Sequence, residues 1–198
     1  MFLKNGNQVF AVEPNADMRA AGEAALNSYP NFISVSGTAE ATTLAGNSID
    51  LITAGQAFHW FDRTQTRPEF ERILKAGGWV VLIWNERRLS STTFLREYEA
   101  LLLKFGLDYQ QVRHENVERE IGSFYEPASF EIATFDNSQK LDQDAFRGRA
   151  FSSSYTPEPD HPAYQAMLND LDDLFLKHQI HGTVTIEYDT NVFYGRLR

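Results

Sequence analysis

The apolar run Val9-Phe10-Ala11-Val12 stops at Glu13, and Pro14-Asn15 then turns the backbone away. A short β-prone run bounded by a turn reads as a strand. The acid that closes it constrains the fold. In doubly wound α/β sheets ligands lie beyond the carboxyl ends of the strands, and an Asp or Glu at such an end accepts hydrogen bonds from ligand hydroxyls. A strand and a glycine-rich turn normally precede that acid by about twenty residues. Only twelve residues stand before Glu13, and Gly6 is the one glycine among them, so the expected sheet lacks its first strand. Met1 to Leu3 followed by Lys4-Asn5-Gly6-Asn7 reads as the last turn and cap of a helix, which makes Met1 look internal to a longer reading frame.

Strand and helix signals alternate through the rest of the chain. Ala16 to Leu26 has helical spacing behind a capping Asn15. Phe32 to Ser36 and Ile49 to Ala54 read as strands that end at Gly37 and Gly55. A helix is expected from Asp62, its N-cap, to Ala76, with Pro68 in a first turn or at a kink and Gly77-Gly78 as the stop. Trp79 to Asn85 is apolar without alternation, as in a parallel strand covered on both faces near a sheet centre. Phe94 to Phe105 is an amphipathic covering helix. His114 to Glu120 reads as a connection, Phe130 to Phe135 as a half-exposed strand, and Gln143 to Arg149 and Ala163 to His178 as helices. Thr183 to Leu197 is the last strand, expected to return antiparallel beside Phe130 to Phe135 and close one sheet edge.

Composition removes whole chemistries. The 198 residues contain no cysteine, which rules out disulfides, thiolate metal sites and a cysteine nucleophile. A net charge of -9 argues against the phosphate neutralisation on which nucleic-acid affinity depends, so small molecules are the expected partners. No run approaches the roughly eighteen apolar residues of a membrane helix, and no signal-peptide pattern opens the chain. The expectation is a soluble cytoplasmic protein forming one domain over 1–198, with no membrane partner. His178 and His181 lack a third partner and read as a frayed helix end, so no metal site is expected. Ser152 to Ser154 carries no nucleophile-elbow pattern.

Five blocks stand in order: Val12-Glu13-Pro14-Asn15, Gly37-Thr38-Ala39-Glu40-Ala41-Thr42, Ser48-Ile49-Asp50-Leu51-Ile52, Gln56-Ala57-Phe58-His59-Trp60-Phe61 and Arg72-Ile73-Leu74-Lys75-Ala76-Gly77-Gly78. Each is common alone. Their joint order and spacing, from residue 9 to about 88, resembles class I S-adenosylmethionine-dependent methyltransferases, most of all the small-molecule branch described as type 11. The resemblance implies a Rossmann-like α/β sheet with a C-terminal antiparallel strand, an S-adenosylmethionine cofactor and a small-molecule methyl acceptor. It also implies a variable covering segment, about 89–126, over the site, and the absence of the family's glycine-rich cofactor loop.

Roles follow from the resemblance position by position. Glu13 corresponds to the carboxylate that accepts from both ribose hydroxyls, with Pro14, Asn15 and Met18 beside the ribose and adenine. Thr38, Ala39 and Glu40 correspond to the adenine turn, and Thr38 stands where Asp is common. Gln56, Ala57, His59 and Trp60 correspond to the methionine end of the pocket. His59 is left with three readings: a general base, a packing group against cofactor or substrate, or a structural histidine. For Phe58, Trp60 and Phe61 core packing is the first expectation, with cation-π contact to the sulfonium the other. Arg87 and Arg88 are either solvated or face an anionic substrate. Without a central first strand, Val9 to Val12 must pair with Leu51 to Ala54, take a strand from a partner, or leave the domain marginal. A homo-oligomer through exposed strand edges is therefore expected. The rival reading is a non-catalytic remnant that acts by association.

Overall fold

A computed structural model of the protein describes residues 1–107 and 117–198. It contains six strands and six α-helices: β1 (Val9–Val12), α1 (Ala16–Leu26), β2 (Phe32–Val35), β3 (Ile49–Gly55), α2 (Arg63–Ile73), β4 (Leu74–Arg87), α3 (Thr93–Phe105), α4 (Val117–Tyr125), β5 (Phe130–Leu141), α5 (Gln143–Phe151), α6 (Tyr164–His178) and β6 (Val184–Gly195). Two 3₁₀ turns, Leu3–Asn5 and Phe58–Trp60, complete the order. The residues group into two compact units. One is Met1–Leu82 with Ile121–Glu131 and Phe193–Arg198, and the other is Ile83–Glu120 with Ile132–Val192.

In the first unit β1 and β2 pair in parallel with Val9 opposite Phe32 and Val12 opposite Val35. They form a sheet of their own. The other strands hydrogen-bond in the order β3-β4-β6-β5. Pairing of β1 with β3, one of the three alternatives read from sequence, is therefore not seen among the described residues, where both strands end their sheets with an unpaired edge. The cost shows in burial: of residues 1–57 only Thr42 is buried, and α1 buries none. The unit's core lies further along the chain, where Phe58, Phe70, Ile73, Val80, Leu82, Ile121, Phe124, Tyr125 and Phe193 are buried. The Tyr125 hydroxyl lies 3.1 Å from the Val80 carbonyl and 3.2 Å from that of Phe193, so this buried polar group is satisfied by the backbone of two strands.

The second unit builds its core from helices laid on strand residues. Phe94, Leu95, Tyr98, Leu101 and Leu102 of α3, Phe146 and Ala150 of α5, Met167, Leu171, Leu174 and Phe175 of α6, and Val184, Ile186 and Tyr188 of β6 form one buried cluster. The amphipathic spacing of α3 puts these apolar groups on one stripe. Thr92 caps α3 through Leu95 N, and Asp142 caps α5 through Ala145 N. The contacts Asn85–Thr190 and Arg88–Glu187 on one side of β6, and Thr134–Asn191 and Gln139–Tyr188 on the other, run in opposing directions, so β6 is antiparallel to both neighbours.

Several sequence expectations need correction. α2 ends at Ile73 and β4 begins at Leu74, so Gly77-Gly78 lies inside a strand rather than stopping a helix. Pro68 sits past the first turn of α2, where it offers no donor to the Thr64 carbonyl. β4 alternates, with Val80, Leu82 and Trp84 buried and Val81, Ile83 and Asn85 partly exposed, so it is interior in the pairing order without being covered on both faces. β6 lies beside β5 as expected, but β5 is the edge strand and runs on to Leu141. Val117–Tyr125 is a helix where a connection was expected up to Glu120; His114 to Asn116 lie outside the described residues.

Candidate functional site

Three consecutive strand ends of the first unit carry the residues singled out from sequence. At the end of β1 the Glu13 amide donates to the Val35 carbonyl at 3.1 Å, which holds Glu13 beside the exit of β2. One carboxylate oxygen of Glu13, Oε1, accepts from Asn15 N at 2.9 Å, while Oε2 makes no hydrogen bond among the described residues. Arg19 braces the turn by donating to the carbonyls of Glu13 and Pro14. The Asn15 side chain accepts from Asp17 N and Met18 N, the N-cap expected for α1. Pro14 and Asn15 are exposed, and Met18 is 64% exposed, an unusual fate for a thioether on a short helix.

The turn after β2 is tight. A side chain at Gly37 would come within 2.9 Å of the Ala41 carbonyl, so only glycine fits. Thr38 and Ala41 bond across the turn in both directions, leaving Ala39 and Glu40 at its tip. Glu40 then reaches across: its Oε1 accepts from Asp62 N at 2.9 Å and from Thr66 Oγ1 at 3.3 Å. Burial alone would raise the Glu40 pKa, but the Asp62 amide and the hydroxyls of Thr38 and Thr66 outweigh it and hold the carboxyl below its usual range. Glu40, expected at the adenine, thus has one oxygen committed to the start of α2. Sequence reasoning did not foresee this brace, because nothing local pairs residues 40 and 62.

A second brace anchors the same turn. Glu69 accepts from Thr42 N at 2.9 Å and from the Thr42 hydroxyl, and takes a fork from Arg72, Nε to Oε2 at 2.7 Å and Nη2 to Oε1 at 2.8 Å. Arg72 first, then Thr42, pulls the Glu69 pKa from 4.5 down to about 2 against the effect of burial. A depressed carboxylate stabilises the fold above its unfolded pKa, so this contribution is complete above pH 4.5 and is lost as the pH falls toward 2. Arg72→Met is expected to return the Glu69 titration, followed by carbon NMR of its carboxyl, toward the ordinary carboxylate range and to move acid unfolding to higher pH. A Glu69 titration that stays near its original midpoint would show that Arg72 is not the cause.

After β3 the chain enters the site through Gln56, which has a left-handed φ of 50° without being glycine. Such strain in a non-glycine residue is uncommon outside functional turns. The Phe58–Trp60 turn that follows separates its aromatics by geometry. In a 3₁₀ turn positions three apart eclipse, so Phe58 and Phe61 face one way and His59 and Trp60 the other. Phe58 is buried edge-to-face on Phe61 at 6.0 Å and Phe124 at 5.2 Å. Trp60 is 76% exposed, with its ring 4.6 Å from that of His59, and His59 is exposed. The core-packing expectation therefore holds for Phe58 and Phe61 and fails for Trp60. Asp62 caps α2 through Thr64 N, as expected.

Residues 1–82 match the methyltransferase domain family, which takes in β1 to β3, α2 and both bracing carboxylates. An uncharacterised methyltransferase of Mycobacterium tuberculosis is 39% identical over 85 residues, 43% of this chain and 34% of that protein. An uncharacterised methyltransferase of Schizosaccharomyces pombe is 42% identical over 59 residues, 30% of this chain and 24% of its own. These matches thus span 34% or less of the curated relatives' length. The fold recurs over the whole chain. A structure from Anaeromyxobacter dehalogenans described as a type II methyltransferase superimposes with a TM-score of 0.61 at 17% identity, covering 96% of this chain and 81% of that one. One from Anabaena variabilis, described as a methyltransferase from an antibiotic biosynthesis pathway, gives 0.59 at 21% identity, with 98% and 83% covered. The matched segment holds every residue singled out for the cofactor.

Among the described residues no cluster of His, Asp and Glu is arranged to hold a metal, and no helix is long and apolar enough to cross a membrane. Arg87 and Arg88, read from sequence as solvated or facing an anionic substrate, are ion-paired: Arg87 with Glu99, and Arg88 with Asp189 and Asp136.

Proposed function

We propose that this chain binds S-adenosylmethionine at the ends of β1, β2 and β3 and transfers its methyl group to a small-molecule acceptor. The observation that carries the reading is Glu13: a strand-end carboxylate fixed through its amide to Val35, with one oxygen uncommitted. That arrangement suits a ribose edge, since a carboxylate accepts two hydroxyl donors in a charge-assisted pair. Asn15 and Pro14 shape the rim, exposed Met18 offers apolar surface to an adenine face, and Thr38, Ala39 and Glu40 supply the adenine turn. Gln56, Ala57, His59 and Trp60 stand toward the methionine end.

The bound cofactor supplies an electrophilic methyl on a sulfonium. Transfer from it depends mainly on alignment and exclusion of water, so His59 and Trp60 act as orienting groups. Trp60 presents an aromatic face suited to a cation, and His59 beside it serves first in positioning and only secondarily as a base.

A second reading rests on the unpaired edges of β1 and β3 and the poorly buried first 57 residues: a non-catalytic remnant that works by association with itself or another chain. One set of samples separates the two. Millimolar S-adenosylmethionine is expected to raise the Tm of the 198-residue protein, and Glu13→Gln to weaken that binding by about tenfold or more with the ligand-free Tm unchanged. No cofactor-induced shift, together with no effect of Glu13→Gln, rejects the methyltransferase reading. A monomer in light scattering that turns over cofactor rejects the rival.

A further inference from the structure

The paired state of Arg87 and Arg88 leaves a different arginine in question. Arg149, on the last turn of α5 in the second unit, is half-buried and has no acidic partner among the described residues. Its bonds are long and go to hydroxyls: Nε to Tyr188 Oη at 3.4 Å and Nη1 to Ser153 Oγ at 3.3 Å. Nη2 makes no hydrogen bond among those residues and is not sealed from solvent. Burial is the largest influence on its pKa and lowers it, and the tyrosines Tyr188, Tyr98 and Tyr155 act after it in the opposite direction.

Two residues earlier Arg147 shows the ordinary arrangement, a fork onto Asp172 with both bonds at 2.7 Å and a further contact to Asp144. The chain has 27 acids against 18 lysines and arginines, so a half-desolvated guanidinium surrounded only by neutral hydroxyls is not explained by a shortage of carboxylates. Taking a charge partly out of water without a counter-charge costs free energy, and an anionic ligand removes that cost. A guanidinium with an uncommitted Nη2 beside a serine hydroxyl suits the fork geometry of an oxyanion.

We propose that Arg149, with Ser153, forms an oxyanion site for the carboxylate or phosphate of a small ligand, while Tyr188 holds the guanidinium in place as an acceptor. Tyr188 is buried and its hydroxyl is held by Gln139 at 3.0 Å, so one wall of the site is fixed before binding. The proposal concerns the second unit alone and stands whether or not the chain transfers methyl groups.

The test uses the folded 198-residue protein with benzoate and inorganic phosphate as probes at constant ionic strength. It follows the Arg149 Nε–H resonance, assigned with Arg149→Lys, and the Ser153 amide. A saturable shift is expected with one probe or both. Saturation by benzoate alone assigns a carboxylate ligand, and by phosphate alone a phosphorylated one. Arg147→Gln is expected to bind as the wild type does, and Arg149→Gln to lose about tenfold or more in affinity. Should Arg149→Gln fail to fold, Ser153→Ala decides the matter through the Arg149 signal, with a several-fold loss expected. No saturable shift with either probe overturns the site, as does an unchanged affinity in Arg149→Gln or, where that variant does not fold, in Ser153→Ala.

Discussion

Glu99→Gln is expected to destabilise the protein by about 3–5 kcal/mol, the cost of leaving one member of a buried ion pair without its counter-charge. Arg87 and Glu99 pair with side chains only 11% and 10% exposed, and the Arg87 guanidinium lies 5.0 Å above the Tyr98 ring. Tyr98 is buried in the main cluster of the second unit, and its hydroxyl pKa is pushed far up by that burial. Glutamine keeps the shape of Glu99 and removes only the charge, so the loss in urea midpoint reads the electrostatics directly. Against a total of about 5–15 kcal/mol the effect is large. Replacing both partners by methionine is expected to recover most of the loss, because neither charge then needs a partner. A cost below about 1 kcal/mol for Glu99→Gln would show that the pair behaves like an exposed one.

Hydrogen exchange is expected to divide the chain sharply. Amides of β1 and β2 should exchange by local opening that costs little, whereas those of α6 should exchange only on global unfolding. The reason is burial. α6 fixes Met167, Leu171, Leu174 and Phe175 in the core, each contributing about 1.5–3 kcal/mol. β1, α1 and β2 bury no residue, and β1 and β3 share no hydrogen bonds. S-adenosylmethionine should slow exchange at Val12 to Asn15 and Thr38 to Thr42, since ligand that binds only the folded form stabilises what it touches. Equal protection across β1, β2 and α6 in the ligand-free protein would refute this account.

Most individual elements were legible in the sequence because their signals are local, although α4 was read as a connection up to Glu120. Val9 to Val12 ends in an acid and a turn, Asn15 and Asp62 are caps, and α3 carries its stripe in the spacing of Phe94, Leu95, Tyr98, Leu101 and Leu102. What failed was tertiary. Gly77-Gly78 resembles a helix stop, yet strand pairing carries β4 through it from Leu74. The separation of β1 from β3 depends on which strands hydrogen-bond, and no residue in either announces it. The strand-end residues of the proposed cofactor site came from motif order, while the braces Glu40–Asp62 and Glu69–Thr42 join positions more than twenty apart. Arg149 escaped notice for the same reason: the absence of a carboxylate around an arginine is a property of the folded surroundings.

The eclipsed spacing at Phe58 and Phe61 separates two demands that usually compete. The rings that lock the segment down are not the ones that look outward, so positions 59 and 60 can drift without loosening the hydrophobic seat beneath them. Changes of molecular preference can then accumulate at two adjacent codons, with scaffold integrity left to their neighbours on either side.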